Sequence, residues 1–452
     1  MQSYEVALVE DAFSQMRTVS ISSEEQQNSD GLRDLLDQHQ LMYVAINLSD
    51  MTATGFTADG LLAIQDLARK LRAQAQGATR LASNQTVAKM IAARMIELFR
   101  GKNVGSLTNE DFLALEDAIN GWLRSLAHTR RHVVPCVFTS YPLGSIDVGP
   151  VTLHHRTQFP WEEFGGEPQS PPSSSFDLLI RLADERMARW FAVAKISGMA
   201  VEESVRAADV AVDIALSAIQ LALPFAELRY VARATGRTVP IWRATVWQGD
   251  GIVHNGVANQ EPGRGIDGLD VAMKQVSPLL ESMGRRLSNY LNATSALPDL
   301  DEAWCNAAYW YHEALAETHE TISVAKLETA IEILFRSESM SGSKRRLLDA
   351  FEAIFGLTKT DKVPGSEVTV DQFATAITTA RSRVLHGTWP TLTYDLPGAK
   401  GIASVTFSDV NILARLLLVN FSLGIDAYLN AGNTAGEADA FIDWLNAERN
   451  KA

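Results

Sequence analysis

Val370-Asp-Gln-Phe-Ala-Thr-Ala-Ile-Thr-Thr-Ala-Arg381-Ser-Arg-Val-Leu-His386-Gly387 is the stretch on which the reading of this chain turns. Its periodicity predicts a helix over 370–386, and Gly387 suits the left-handed residue that commonly ends one. His386 is then expected in the last turn, where the partial negative charge of the helix end attracts a cation. A histidine near neutral pH takes up and gives back protons. Arg381 and Arg383 bring fixed positive charge of the kind that holds a phosphodiester. At roughly 100° per residue, Arg381 and His386 stand about 140° apart on an ideal helix, so a pocket using both needs a long arginine reach or a second subunit.

Outward from this stretch, the chain from Leu300 onward reads as helix almost throughout, over 301–320, 323–337, 343–355, 370–386, 407–430 and 437–450. Gly356, Gly387, Pro390, Pro397 and Gly432 punctuate it, and residues 300–452 are expected to form a helical domain of their own. Upstream, 59–128 predicts three helices, the last after a cap signal at Thr108–Asp111. Residues 133–141 and 146–159 predict short strands, 165–175 a Pro/Gly/Ser linker, 176–196 and 201–233 helices with a break at Pro224, and 269–292 a further helix. Residues 241–255 read as a β-hairpin around Gly249-Asp-Gly251, while 41–48 fits helix or strand. The fold class is therefore mainly α with a smaller α+β portion. An α+β region over 1–165 and a region of helices plus hairpin over 176–298 form one domain or two. No internal repeat is visible.

Composition limits what such a chain does. With 40 Lys+Arg against 54 Asp+Glu and a net charge of −14, it is no bulk binder of nucleic acid or anionic lipid. Residues 301–452 hold 13 Lys+Arg and 20 Asp+Glu, a net −7, which leaves −7 for residues 1–300, so neither part is a basic module. RNA would have to be caught at a small cluster such as Arg381/Arg383. Two cysteines, Cys136 and Cys305, make neither a disulfide framework nor a zinc spacing and fit a reducing compartment. The first residues lack an export signal, and the apolar run 412–425, interrupted by Arg415 and Asn420, falls short of the ~20 residues of a membrane span. A cytoplasmic protein without a membrane partner is expected.

Other chemistry-bearing patterns read as structure. Gly263-Arg-Gly265-Ile-Asp-Gly268 has dinucleotide-loop spacing, but Asn289 stands where a ribose-binding acid belongs, so a turn-forming loop is expected. His154-His155-Arg156, near Asp147, reads as a polar edge strand, since adjacent strand residues point to opposite faces. His312 and His319 read as a solvated face of one helix, about 10.5 Å apart. Trp161, Trp190, Trp242 and Trp247 are expected in the core rather than at a base-stacking site. Arg33 and His39 repeat the arginine-to-histidine spacing without supporting neighbours. No nucleophile elbow, P-loop, kinase set or zinc-helix motif is present, and no metal or cofactor is expected.

Arg381, Ser382, His386 and Gly387 resemble the signature of the HEPN superfamily (higher eukaryote and prokaryote nucleotide-binding), in its Apea-like form from bacterial defence proteins. Lys326-Leu-Glu328-Thr-Ala-Ile-Glu332-Ile-Leu-Phe335 and Lys344-Arg-Arg-Leu-Leu348 are similar to the family's preceding segments. The resemblance covers about residues 300–430. It implies a helical domain that dimerises so that two Arg/His motifs face each other, and a metal-independent endoribonuclease of antiviral-defence, abortive-infection or toxin type. His386 would be general base and acid, Arg381 the phosphate clamp, Ser382 a supporting hydrogen-bonder, with Arg383 assisting. Residues 1–300 would meet a trigger or regulator. A non-catalytic HEPN-like nucleotide-binding or dimerisation scaffold is the alternative. Thr388 stands where some members carry a tyrosine, so activities tied to that tyrosine are not implied.

Overall fold

The computed structural model describes residues 2–22, 29–74, 82–167, 176–236, 242–259, 261–336, 340–364, 366–387 and 406–451. Thr388, Pro390, Pro397 and most of the 165–175 linker lie outside them. Among the described residues are fifteen α-helices and three small sheets, so the chain is mainly α with a lesser α+β share. It divides into two compact units, residues 1–130 with 197–206 and residues 131–196 with 207–452.

The first unit holds α1 (Ser3–Ser14), β1 (Met16–Ser20), α2 (Ser29–Gln38), β2 (Met42–Asn47), β3 (Thr52–Phe56), α3 (Ala58–Gln74), α4 (Asn84–Phe99) and α5 (Asn109–Ser125). The ambiguous run at 41–48 is strand β2, and the three helices expected over 59–128 are α3, α4 and α5. The strands form an antiparallel sheet in the order β1-β3-β2. Phe13, Phe56, Ile64, Ile91, Met95 and Phe99 are buried together in the core, with the Phe13 and Phe99 rings edge to face at 5.6 Å. Ser83 caps α4 by accepting from the Thr86 N–H, and Thr108 with Asp111 makes the capping box of α5.

The second unit contains β4 (Arg130–Val137), β5 (Ile146–Val148), β6 (Val151–His155), α6 (Asp177–Glu185) and β7 (Trp190–Ile196). Helix α7 (Val201–Ala222) begins in the first unit and continues in the second, followed by β8 (Ala232–Arg233). The sheet order is β5-β6-β7-β4-β8. Here the expectation of helix over 176–196 is corrected. Only Asp177–Glu185 is helical, and Trp190–Ile196 is the middle strand of the sheet. Every residue of that strand but Lys195 is buried, so it carries no polar/apolar alternation to mark it as a strand. Helix α7 stops two residues before Pro224, as expected, but the segment up to Arg233 does not resume it.

Strands β9 (Trp242–Gly249) and β10 (Ile252–Asn259) form the expected hairpin, turned by Asp250 and Gly251, both with positive φ. The helix expected over 269–292 is two, α8 (Leu269–Gln275) and α9 (Ser277–Asn292), because Pro278 has no N–H and fits only a first turn. Helix α9 lies against the β5–β6 turn so closely that a Cβ on Gly284 would stand 2.4 Å from the Gly149 nitrogen. Gly284→Ala is therefore expected to destabilise the unit by about 1–3 kcal/mol, read as a lower urea midpoint. An unchanged midpoint would show that this contact is relaxed in solution.

The remaining helices are α10 (Pro298–Leu315), α11 (Glu320–Leu334), α12 (Met340–Ala350), α13 (Val370–Leu385), α14 (Phe407–Asn430) and α15 (Ala438–Arg449). A π-helical turn, Phe351–Phe355, extends α12. By length and composition α14 is apolar enough to cross a membrane. In the fold it is a core helix, with Leu417, Phe421 and Ile425 buried and its Leu418 carbonyl accepting from Trp304 Nε1. Helix α11 is the hub, packed on α10, α13 and α14. A helix covered on several sides draws its polar residues inside with the rest.

Candidate functional site

Helix α13 begins at a reciprocal cap, in which the Gln372 N–H donates to Thr369 Oγ1 and the Thr369 N–H to Gln372 Oε1. It ends as expected. His386 is the C-cap, its N–H bonded to the Ser382 carbonyl at 3.0 Å, and Gly387 turns left-handed at φ +66. His386 is exposed, and among the described residues no hydrogen bond or ion pair engages its ring. Its neighbour Leu385 is also exposed. Ser382 and Arg383 are half-buried.

Arg381 has a different environment. Its guanidinium reaches back to α11, pairing with Glu332 and lying 3.1 Å from Glu328 Oε2. These glutamates are four residues apart and so share one face of α11. Ser343 on α12 donates to Glu332 at 2.6 Å. Burial, reinforced by the negative charge of Glu332, pushes Glu328 up to about 9 despite Arg381. Glu328 is therefore protonated near neutral pH and hydrogen-bonds Glu332, which pairs with Arg381. The arginine is fixed in place and largely neutralised. Among the described residues no hydrogen bond joins it to His386.

A pH test follows from the raised Glu328. Its bound proton stabilises the fold fully below the ordinary value of 4.5, and that contribution is lost as pH rises through about 9. Glu328→Gln keeps the neutral form at every pH. Its thermal midpoint is expected to gain on the wild type as pH rises from about 5 to about 9. A margin independent of pH would contradict the protonated state. The sequence named Glu328 and Glu332 only as family context. Their signal was a pair of acids at i, i+4 set among the apolar residues Leu327, Ala330, Ile331 and Ile333.

The other candidates resolve as structure, three of them differently from expectation. Strand β6 lies between β5 and β7, so His154 and His155 are not on an edge. They do point to opposite faces, His154 packing on Phe159 and the buried His155 on Trp190. His312 is not on a solvated face and does not share a helix with His319. It is buried on α10, whereas His319 caps α11. Gln220 Nε2 donates to the Leu228 and Arg229 carbonyls, which leaves its Oε1 to accept from His312 Nδ1 at 2.9 Å. Burial lowers the pKa of His312, against the pull of Asp213 and Glu313. Trp161 and Trp190 are core residues as expected, but Trp247 is half exposed and stacks on His254. The side chain of Trp242 lies outside the described residues.

Gly263, Gly265 and Gly268 all have positive φ, as a turn-forming loop requires. A cavity of about 950 Å³ opens beside this loop, but Asp147, Asp267, Asp270 and Glu281 on its wall outnumber Lys274. That charge repels a phosphodiester, and none of Arg381, Ser382, Arg383 or His386 lines it. Among the described residues no His/Cys/Asp/Glu group is arranged to hold a metal ion. No family model, curated protein or solved structure matches the chain. The likeness of residues 300–430 to HEPN proteins rests on the motif helix and the two segments before it.

Proposed function

We propose that this protein is a metal-independent endoribonuclease of bacterial defence or toxin type, in which a HEPN-like helical domain dimerises to form a composite Arg/His site. The observation that carries the reading is the Arg381–Glu332–Glu328 cluster on the helix that ends in an exposed histidine. Burying two acidic side chains against an arginine is costly, and apolar packing at the same place is often as stable or more so. A strongly shifted acid held against a charge partner is a feature that functional sites concentrate.

In the dimer, one His386 takes the proton of a ribose 2′-hydroxyl, whose oxygen attacks the phosphorus. The partner's His386 protonates the leaving 5′-oxygen as its bond to phosphorus breaks. Arg381, oriented by its glutamates, meets the charge that develops on the phosphate. The exposed Leu385 beside His386 is an apolar group suited to cover by a second copy. The purified full chain is expected to cut RNA in excess EDTA and to have the solution mass of a dimer. Loss of cutting in EDTA would defeat the metal-independent mechanism.

One observation favours the second reading, a non-catalytic nucleotide-binding or dimerisation scaffold. Glu332 already occupies Arg381, so a phosphate must compete for it. Under that reading the dimer forms, nucleotide binds, and RNA stays intact with and without divalent cations.

A further inference from the structure

A second cavity, of about 530 Å³, lies in the second unit, between the π-helical turn after α12, the loop that follows it, the first turns of α13 and those of α14. Phe351, Phe355, Leu357, Val368, Phe373 and Leu413 make most of its wall. The volume falls within the range of ~300–1,000 Å³ typical of small-molecule sites. Three phenylalanine rings meet there, Phe351 with Phe355 at 5.5 Å and Phe351 with Phe373 at 6.1 Å, both edge to face. Such an arrangement leaves ring edges and faces for a further aromatic ring.

The polar groups of the lining are already engaged. Asp409, the charged residue of the wall, accepts from the Thr406 N–H at 2.8 Å and Oγ1 at 2.7 Å in the capping box of α14. Ser366 Oγ accepts from the Val368 N–H at 3.0 Å. Among the described residues no buried side-chain polar atom of the lining lacks a partner. A charged ligand would lose its hydration here with nothing to replace it. The π-helical turn adds a separate indication, since this wide and uncommon turn is frequent at functional sites.

We propose that this cavity is a binding site for a small uncharged aromatic molecule. Phe373 lies on α13 about two turns before Arg381, so the ligand rests on the helix that carries the candidate site. The binding itself does not depend on the ribonuclease reading.

Titration of the full chain, without RNA, with the uncharged probe N-phenylnaphthylamine tests the proposal. Saturable binding of one probe per chain is expected, with the anionic analogue anilinonaphthalene sulfonate at least about tenfold weaker. Val363→Trp, which fills the cavity, and Ile412→Asp, which sets a charge on a wall residue that is 53% exposed, should each weaken the neutral probe by about tenfold or more. Circular dichroism of Ile412→Asp should match the wild type. Absence of saturable binding, equal affinity for the two probes, or a folded Ile412→Asp that binds as well as the wild type would overturn the proposal.

Discussion

His386→Ala is expected to lower RNA cleavage at least about 100-fold, the lower end of what a positioned proton-transfer group contributes. The substitution removes an exposed ring that no described residue engages. Melting temperature and solution mass should therefore stay at their wild-type values, and the loss can be read as chemistry. Arg381→Ala is a less clean experiment. It would remove the phosphate clamp but also leave Glu332, only 10% exposed, without its counter-charge, so activity and stability would fall together. Cleavage by His386→Ala at an undiminished rate would remove this histidine from the mechanism.

The largest effect on stability is expected at Arg286, far in sequence from the motif. Arg286 and Asp301 are each 1% exposed and pair at 2.8 Å, and the same guanidinium reaches Asp426 at 2.6 Å. The contacts tie α9, α10 and α14 together. Asn289 and Ser295 also donate to Asp301, and Ser282 to Asp426. Burial works to raise the pKa of Asp426, but hydrogen bonds from Arg285 and Ser282, with the charge of Arg286, hold it below the ordinary value.

Arg286→Ala leaves Asp301 buried and uncompensated, which costs about 3–5 kcal/mol. Arg285 also pairs with Asp426, yet it is 54% exposed, so Arg285→Ala should cost no more than about 1 kcal/mol. Urea denaturation of both variants checks this. Similar midpoints would mean that the buried pair is reached by water.

Much of the helical layout was legible because its signals are local. Thr108 and Gly387 are short-range start and stop marks, and the Asp250-Gly251 turn has backbone needs that few other residues meet. Strand β7 was not legible, because a strand covered on both faces has lost its alternation, and alanine at 192 and 194 is as common in helices. The break at Val276 was overlooked although Pro278 announces it.

At the candidate site the helix and its end followed from 370–387 alone, whereas the exposure of His386 is seen only in the fold. The surroundings of Arg381 did not. Whether a glutamate on α11 faces water or a guanidinium is decided by how α11 packs on α13, and no local pattern carries that information. His312 is the same case in reverse. Its neighbours Glu313 and Glu317 suggested a wet surface, whereas Gln220, 92 residues away, gives it a buried partner.

The chemistry of the RNA ends is the most direct test of a site built on His386. Wild-type protein in excess EDTA, incubated with an end-labelled RNA, should leave a 2′,3′-cyclic phosphate on one fragment and a 5′-hydroxyl on the other, and His386→Ala should leave the RNA whole. Fragments carrying 5′-phosphate, or no cleavage by the dimeric full chain, would contradict attack by a ribose 2′-hydroxyl activated at His386.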